Sequence, residues 1–480
     1  MINIEVIGCK DGSRRWEGEL LTRLRAIGHA VCVRHEGRNS VGAPWLDRVL
    51  ALEERRFGPS LASPAVPLVA DGDCQPDLVI DLTGSVARRA VPTLTLTFSG
   101  RISFSEGLTQ FLATGESPCL RACLDGVPVG EARPMLSDRL WLSRACNDLL
   151  SGAITLIESI VVRFAAGRIA PLTGKTEDSA GNRGFLRHYL PFLARGVAGR
   201  VGHKLRLGAR PFYWQVAYRL VDGEGIAETG ALDGPPFSVL ADDGKRFYAD
   251  PFVFMHADQH YLFVEEFPYA TAKGIVSVAR LEADGRFGVP QAVLEEPHHL
   301  SYPQVFAHRD EIYMIPESGG ARELVLYRAE PFPDHWVRDT VLLQDVDFND
   351  ATLLEAGGRF WLFGTQRYGQ GSASDTMAVY SAPALRGPWL PHALNPIRID
   401  HSASRPGGAF IHHGGKLVLP VQNGAQTYGG GLALMELLQL DNGDVRFALP
   451  EPIVSGPAWR RNGIHTLNRA GRVEVVDSAG

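Results

Sequence analysis

The sequence predicts an α/β domain followed by an all-β five-bladed propeller, and three observations predict it. Residues 1–166 alternate strands and helices in the order of an open sheet. From Phe212 onward the helical period gives way to a repeat of roughly fifty residues, the spacing of a propeller-type array. All six cysteines (Cys9, Cys32, Cys74, Cys119, Cys123 and Cys146) fall in the first third of the chain, so composition shifts where the architecture does.

The first domain, 1–166, is read in order. Ile2–Ile7 is a strand, Trp16–Ile27 a helix, and Ala30–His35 a strand. Asp77–Leu82 is a buried strand and Pro92–Phe98 another. Leu140–Phe164 has the period of one long amphipathic helix. Ligands of such a sheet are expected at the carboxyl ends of its strands. The opening MINIEVIGCKDG lacks the basic and apolar regions of a signal peptide. The most apolar segment, Ile154 to Ala166, is interrupted by Glu158 and Arg163 and reads as too short to span a bilayer. A cytoplasmic location is the resulting expectation. Cys119 and Cys123 have a CxxxC spacing with no second pair nearby, so no zinc site is expected and the cysteines read as free thiols.

The connector, 167–210, carries Arg183, Arg187, Arg195, Arg200, Lys204, Arg206 and Arg210, with no acidic residue between Asp178 and Asp222. Apolar residues are interleaved with these cations. The segment reads either as a solvated linker helix or as an interfacial helix on an anionic membrane, its basic residues facing headgroups. On the second reading the protein is peripheral to the inner membrane face.

The last domain, 211–480, shows five aligned openings: ADPFVF from Ala249, SYPQVF from Ser301, NDATLL from Asn349, SRPGGAF from Ser404 and NGIHTL from Asn462. Each leads through a short turn (HADQH, HRD, AGG, HHGG, RAG) into a second strand. The fifth blade runs out of chain after Asp477, so Trp214–Leu220 is expected to complete it and close the ring, leaving no open edge.

Inner strands of a propeller converge on its axis, so the residues at their starts share one funnel. Those residues are Asp250, Tyr302, Gln304, Asn349, Asp350, Ser404, Arg405 and His465. The ends of second strands add Glu265, Glu266, Glu317, Gln366 and Arg367. Carboxylates, amides, an arginine, a histidine and aromatics together suit sugar hydroxyls. Two carboxyls of different proton affinity also support acid–base chemistry at an anomeric carbon. Catalytic candidates are Asp250, Asp350 and Glu317; Glu266, Tyr302, Gln304, Asn349, Gln366, Arg367, Arg405 and His465 are candidates for substrate binding. The plainer readings stay open: turn residues for the two Asp, a closed salt bridge for Arg405, a packed core histidine for His465. No phosphate loop of GxxxxGK[ST] type occurs, and Asp345-Val346-Asp347 is a weak DxD. A net charge of -6 gives no pull toward nucleic acid.

These openings resemble the arabinanase- and invertase-like glycoside hydrolase clan. More closely they resemble the propeller at the N-terminus of glucosamine inositolphosphorylceramide transferase and its bacterial relatives, over about Phe247 to Asp477. The resemblance implies a catalytic Asp at Asp250 and a second at Asp350. The clan's acid Glu has no counterpart, because Ser404–Arg405 opens blade IV. The first domain is similar to formyltransferase-like folds at PDLVIDLTG and at DGVPVGEARPMLSDRLWLSRACNDLL, which implies a catalytic role for Asp125. No histidine lies between His35 and His188, so no formyl transfer is expected and a role in binding or assembly is.

The expected function is glycosyl transfer in glycolipid or surface-polysaccharide synthesis, with a nucleotide sugar as donor and neither cofactor nor metal. In that mechanism Asp250 is the base, Arg405 faces a phosphate or carboxylate, and Asp350 orients hydroxyls. The alternatives are a glycoside hydrolase using Asp250, Asp350 and Glu317, and a sugar-binding scaffold without turnover.

Overall fold

The computed structural model describes residues 1–9, 12–36, 44–66, 68–70, 74–84, 90–172, 185–207, 211–425, 427–455, 459 and 463–479. They form two compact units: Met1–Arg206 with Tyr368–Ser372, and Leu207–Arg367 with Ala373–Gly480.

The first unit holds a six-stranded mixed sheet. Its order is Ala30–His35, Asn3–Gly8, Leu78–Asp81, Thr93–Phe98, Leu120–Leu124 and Val127–Ala132. The first four strands are parallel and the last two form an antiparallel hairpin. Leu78–Asp81 is buried along its whole length, as its unbroken apolar run requires of a central parallel strand. The helices Pro44–Phe57 and Phe104–Thr114 and the final hairpin were not expected from the sequence. Asp125 lies exposed in that hairpin's turn, at φ 50°, and its carboxylate accepts the Thr93 amide at 2.9 Å. That is a turn residue's environment.

Leu142–Ala165 is the long helix expected over Leu140–Phe164, and as a whole it has the length and hydropathy of a membrane-crossing helix, which the apolar stretch Ile154 to Ala166 taken alone does not. It is nevertheless a core helix, with 83% of its apolar window buried. Its first turn is capped from outside. Glu53 accepts the amides of Leu142 (3.2 Å) and Ser143 (2.7 Å), where a helix leaves its own N–H groups unpaired. Glu158, which breaks the apolar run, pairs with Arg23. Cys32 and Cys74 form a disulfide, which corrects the expectation of six free thiols; Cys9, Cys119, Cys123 and Cys146 are free.

The second unit is the five-bladed propeller. Blade I is Arg246–His256, Gln259–Pro268, Ile275–Arg280 and Gln291–Leu294. Blade II is Ser301–His308, Glu311–Glu317, Glu323–Ala329 and Trp336–Gln344. Blade III runs from Phe348–Ala356 through Arg359–Gln366 and Thr376–Ala382 to Leu390–Pro391. Blade IV has a short inner strand, Ile411–His413, then Lys416–Gln422, Leu432–Leu440 and Val445–Phe447. The inner hairpins turn in two residues. Ala257 and Asp258, Gly357 and Gly358, and Gly414 and Gly415 all have positive φ, as a primed turn demands.

Blade V joins the two ends of the unit. Leu467–Ala470 pairs with Val473–Ala479, which pairs in turn with Trp214–Leu220 in the register Val473↔Leu220 to Ala479↔Trp214. The expected closing strand is therefore the observed one. Arg219 and Glu474 form an ion pair inside it, both 1% exposed, with Nη2 at 2.6 Å from Oε2. Asn462, where the fifth opening begins, lies outside the described residues, as do Arg183 and Arg210 of the connector.

Candidate functional site

The inner strands of blades I to III lose register at the same place. Pairing skips between Ala249 and Phe252, between Ser301 and Gln304, and between Asn349 and Thr352. Within these bulges Asp250, Tyr302 and Asp350 take φ of 47°, 46° and 49°. A β-bulge re-aims a side chain, and a left-handed non-glycine residue persists only where its neighbours hold it. Here neighbouring blades supply carboxylates to the bulge amides. The Asp250 N–H donates to Asp477 (3.0 Å), that of Tyr302 to Asp250 (3.2 Å), and that of Asp350 to Glu317 (3.0 Å). Blades IV and V bring Arg405 and His465 to the corresponding point of the repeat.

Two clusters result. In one, Arg405 grips Asp350 with both faces of its fork, Nε to Oδ2 at 2.5 Å and Nη2 to Oδ1 at 3.0 Å. The same Nη2 reaches Glu317 at 3.2 Å, and Nη1 reaches the Ser374 hydroxyl at 3.0 Å. Gln422 donates to Asp350 at 2.6 Å. In the other cluster, His465 lies between two carboxylates, Nε2 3.3 Å from Asp250 and Nδ1 2.7 Å from Asp477. The Thr466 hydroxyl donates to Asp250 at 3.1 Å. Trp214 stacks on the His465 ring at 3.9 Å and 17°. A Cβ on Gly429 would meet that indole at 2.2 Å, so the close packing requires glycine there.

Burial by itself would lower the His465 pKa, but Asp477 and Asp250 overrule it and hold the ring cationic, at about 9. A cation over an indole face is further stabilised by the ring's quadrupole. Asp250 is raised by burial to about 6, with His465 pulling it down and Asp350 pushing it up. Asp350 is raised by burial to about 8; Arg405 opposes the rise and Glu317 adds to it. Glu265 lies well above the usual carboxylate range, through burial and through Asp250, Glu317, Asp477 and Asp350. These acids outnumber Arg405 and His465, so charge balance keeps protons on part of the carboxyl set. Among the described residues, Asp250, His465 and Asp477 are the group that could hold a metal ion, their ligand atoms lying within 4.8 Å. The protonated imidazole already supplies positive charge at that spot.

The structure brings Asp250, Asp350, Glu317, Arg405 and His465 together. It assigns the other predicted residues to different work. The Tyr302 side chain is wholly buried, its hydroxyl tied to Thr352 (2.9 Å) and to the Gly408 amide (2.6 Å) across blades. Gln304 accepts the Leu353 amide at 2.7 Å and stitches blade II to blade III. Asn349 and Arg367 both bind Asp347, at 2.8 and 2.7 Å. Glu266 pairs with Arg246 and accepts from Ser277, and Gln366 accepts from Tyr380 at 2.9 Å.

Glu266 and Gln366 share one physical reason. The strand register places Ala249 opposite Glu265, Ser301 opposite Glu317, and Asn349 opposite Thr365. Glu266 and Gln366 are each one residue later, on the other face of the blade. Glu265 is therefore the blade I counterpart of Glu317. Its Oε1 lies 3.4 Å from His299 Nε2. The Gly274 amide donates to His299 Nδ1 at 2.9 Å, which leaves the neutral ring's proton on the nitrogen facing Glu265. Gln422 and Asp477 were missed, although Gln422 ends the second strand of blade IV as Glu317 ends that of blade II, and Asp477 lies two residues before the end of that of blade V.

Residues 239–470 match the family described as "Glucosamine inositolphosphorylceramide transferase 1, N-terminal". Glucosamine inositolphosphorylceramide transferase 1 of Oryza sativa subsp. indica is 38% identical over 248 residues, which is 48% of this chain and 33% of that protein. The Arabidopsis thaliana protein of the same name is 32% identical over 206 residues, 42% of this chain and 27% of its own length. This chain thus spans about a third of the curated relatives it matches. Among solved structures, Zg3597, a family 117 glycoside hydrolase from Zobellia galactanivorans, is 12% identical with a TM-score of 0.36, covering 56% of this chain and 90% of that one. Residues 239–470 of the propeller are thus similar to the N-terminal region of glucosamine inositolphosphorylceramide transferase 1.

Proposed function

We propose that the propeller is the sugar-handling part of a glycosyl transferase that acts on a glycolipid, with its reaction site at the axial cluster. The observation that carries this reading is the Asp250–His465–Asp477 set: a buried carboxylate of proton affinity near neutrality, held by a histidine that is cationic at neutral pH. The names of the relatives supply the reaction class.

A nucleotide sugar is the donor. Asp250 takes the proton of the acceptor hydroxyl as that oxygen forms a bond to the anomeric carbon. The bond from that carbon to the diphosphate breaks, and the nucleoside diphosphate leaves with the electron pair. A pKa of about 6 leaves Asp250 mostly ionised at pH 7 yet basic enough to accept a proton. His465 orients it and offsets Asp477. Arg405 is occupied by Asp350 and Glu317, so its task is to fix those carboxylates for sugar hydroxyls. This replaces the phosphate contact expected for it.

One observation favours a second reading. Asp250 and Glu265 sense each other and differ in proton affinity, which is the requirement for hydrolysing a glycoside. The test is release of nucleoside diphosphate from a panel of nucleotide sugars, with and without a lipid extract, for wild type and Asp250→Asn. Release that needs lipid and disappears in the variant supports transfer. Lipid-independent release of free sugar from glycosides supports hydrolysis. Sugar binding that survives the substitution, with no turnover, leaves a binding scaffold.

A further inference from the structure

The helix Phe185–Leu207 is amphipathic in the reverse of the usual sense. One face sits on the α/β unit. Phe192 is buried there, its ring 5.0 Å from Phe111. Arg195 donates to the carbonyls of Leu112 (2.8 Å) and Ala113 (3.2 Å), and Arg200 pairs with Asp138 at 3.1 Å. Both arginines stay exposed, Arg200 by 55% of its side chain, while their guanidinium ends bond back to the α/β unit.

At 3.6 residues per turn, Leu190, Ala194, Val197, Val201 and Leu205 fall on the opposite face. All five are exposed: Leu190 by 64%, Val197 by 51%, Val201 by 52% and Leu205 by 76%, with Ala194 among them. A surface helix ordinarily carries polar residues on that face. Exposed Lys204 borders the stripe, Arg187 and Arg206 add positive charge to the helix, and no acidic residue occurs from 179 to 221.

An apolar stripe bordered by Lys204, on a helix whose charged residues are all basic, complements an anionic lipid surface. We propose that this face docks on an anionic bilayer, with the helix lying in the interfacial plane. Leu190, Val197, Val201 and Leu205 enter the acyl boundary and Lys204 stays at headgroup level. The proposal gives the glycolipid reading its lipid surface, and its test needs no turnover.

The full chain is sedimented with vesicles of phosphatidylcholine alone and of phosphatidylcholine with phosphatidylserine, at low and high salt. A variant combining Leu190→Ser, Val197→Ser, Val201→Ser and Leu205→Ser is run alongside, its fold checked by circular dichroism. Binding is expected to the anionic vesicles, to weaken with salt, and to fall more than about tenfold in the variant. No binding by wild type, or equal binding by both proteins, overturns the proposal. So does a wild-type dimer that the substitutions dissociate, which would assign the face to a second copy of the chain.

Discussion

His465 binds its proton more tightly in the fold than in an unfolded chain, at about 9 against 6.5. Its contribution to stability is therefore complete below pH 6.5 and is lost as pH rises through 9. Chemical denaturation of wild type should show a loss on the order of 3 kcal/mol between those limits, and His465→Gln should show none of that slope. Asp250 is also raised, from 3.8 to about 6, so its contribution fades in a lower window, as pH rises through 6. Activity that uses Asp250 as base should climb through the same pH. For Arg405, loss of the guanidinium leaves Asp350 and Glu317 buried beside each other. Arg405→Met should cost about 3–5 kcal/mol by urea denaturation, and adding Asp350→Asn should restore part of it. A neutral Arg405→Met would show that the fork contributes little.

At the scale of the element, the closing strand is the point of weakness. Arg219 lies wholly inside blade V, and Arg219→Ala strands Glu474 there; about 3–5 kcal/mol should be lost. Hydrogen exchange should speed up first in Trp214–Leu220 and Val473–Ala479. Uniform acceleration across all blades would argue against a local seam. The strands and their turns were legible because alternation of period two, punctuated by two-residue turns, is a local signal. The side chains at the strand ends were less so. A bulge shifts the phase of alternation, and a run such as Glu265-Glu266 does not reveal which carboxyl faces the axis. Tyr302 and Gln304 stand at funnel positions by count, yet their polar atoms are spent tying one blade to the next, a fact that depends on Thr352, Leu353 and Gly408 in other blades.

For the whole molecule, the ring closes only if both ends of its segment are present. A fragment beginning at residue 211 retains Trp214–Leu220 and should unfold in one cooperative transition. A fragment beginning at residue 223 lacks that strand and should aggregate or melt broadly, as calorimetry will show. Equal stability of the two fragments would mean that blade V needs no partner. The five-fold repeat, the closing strand and the parallel part of the α/β sheet were readable in the sequence, since each repeats or follows a period. The cysteine bridge was not, because Cys32 and Cys74 meet only once the first sheet has brought their segments together.

Closure also sets a timetable. Arg219 and Glu474 are 255 residues apart, so a ribosome that has made the first member of the pair must work for roughly 10–50 s before the second appears. Throughout that interval the nascent blades carry a bare edge that any other strand could fill. Translation speed between residues 219 and 474, and the holding proteins that attend the emerging chain, thereby become determinants of how much closed ring a cell obtains.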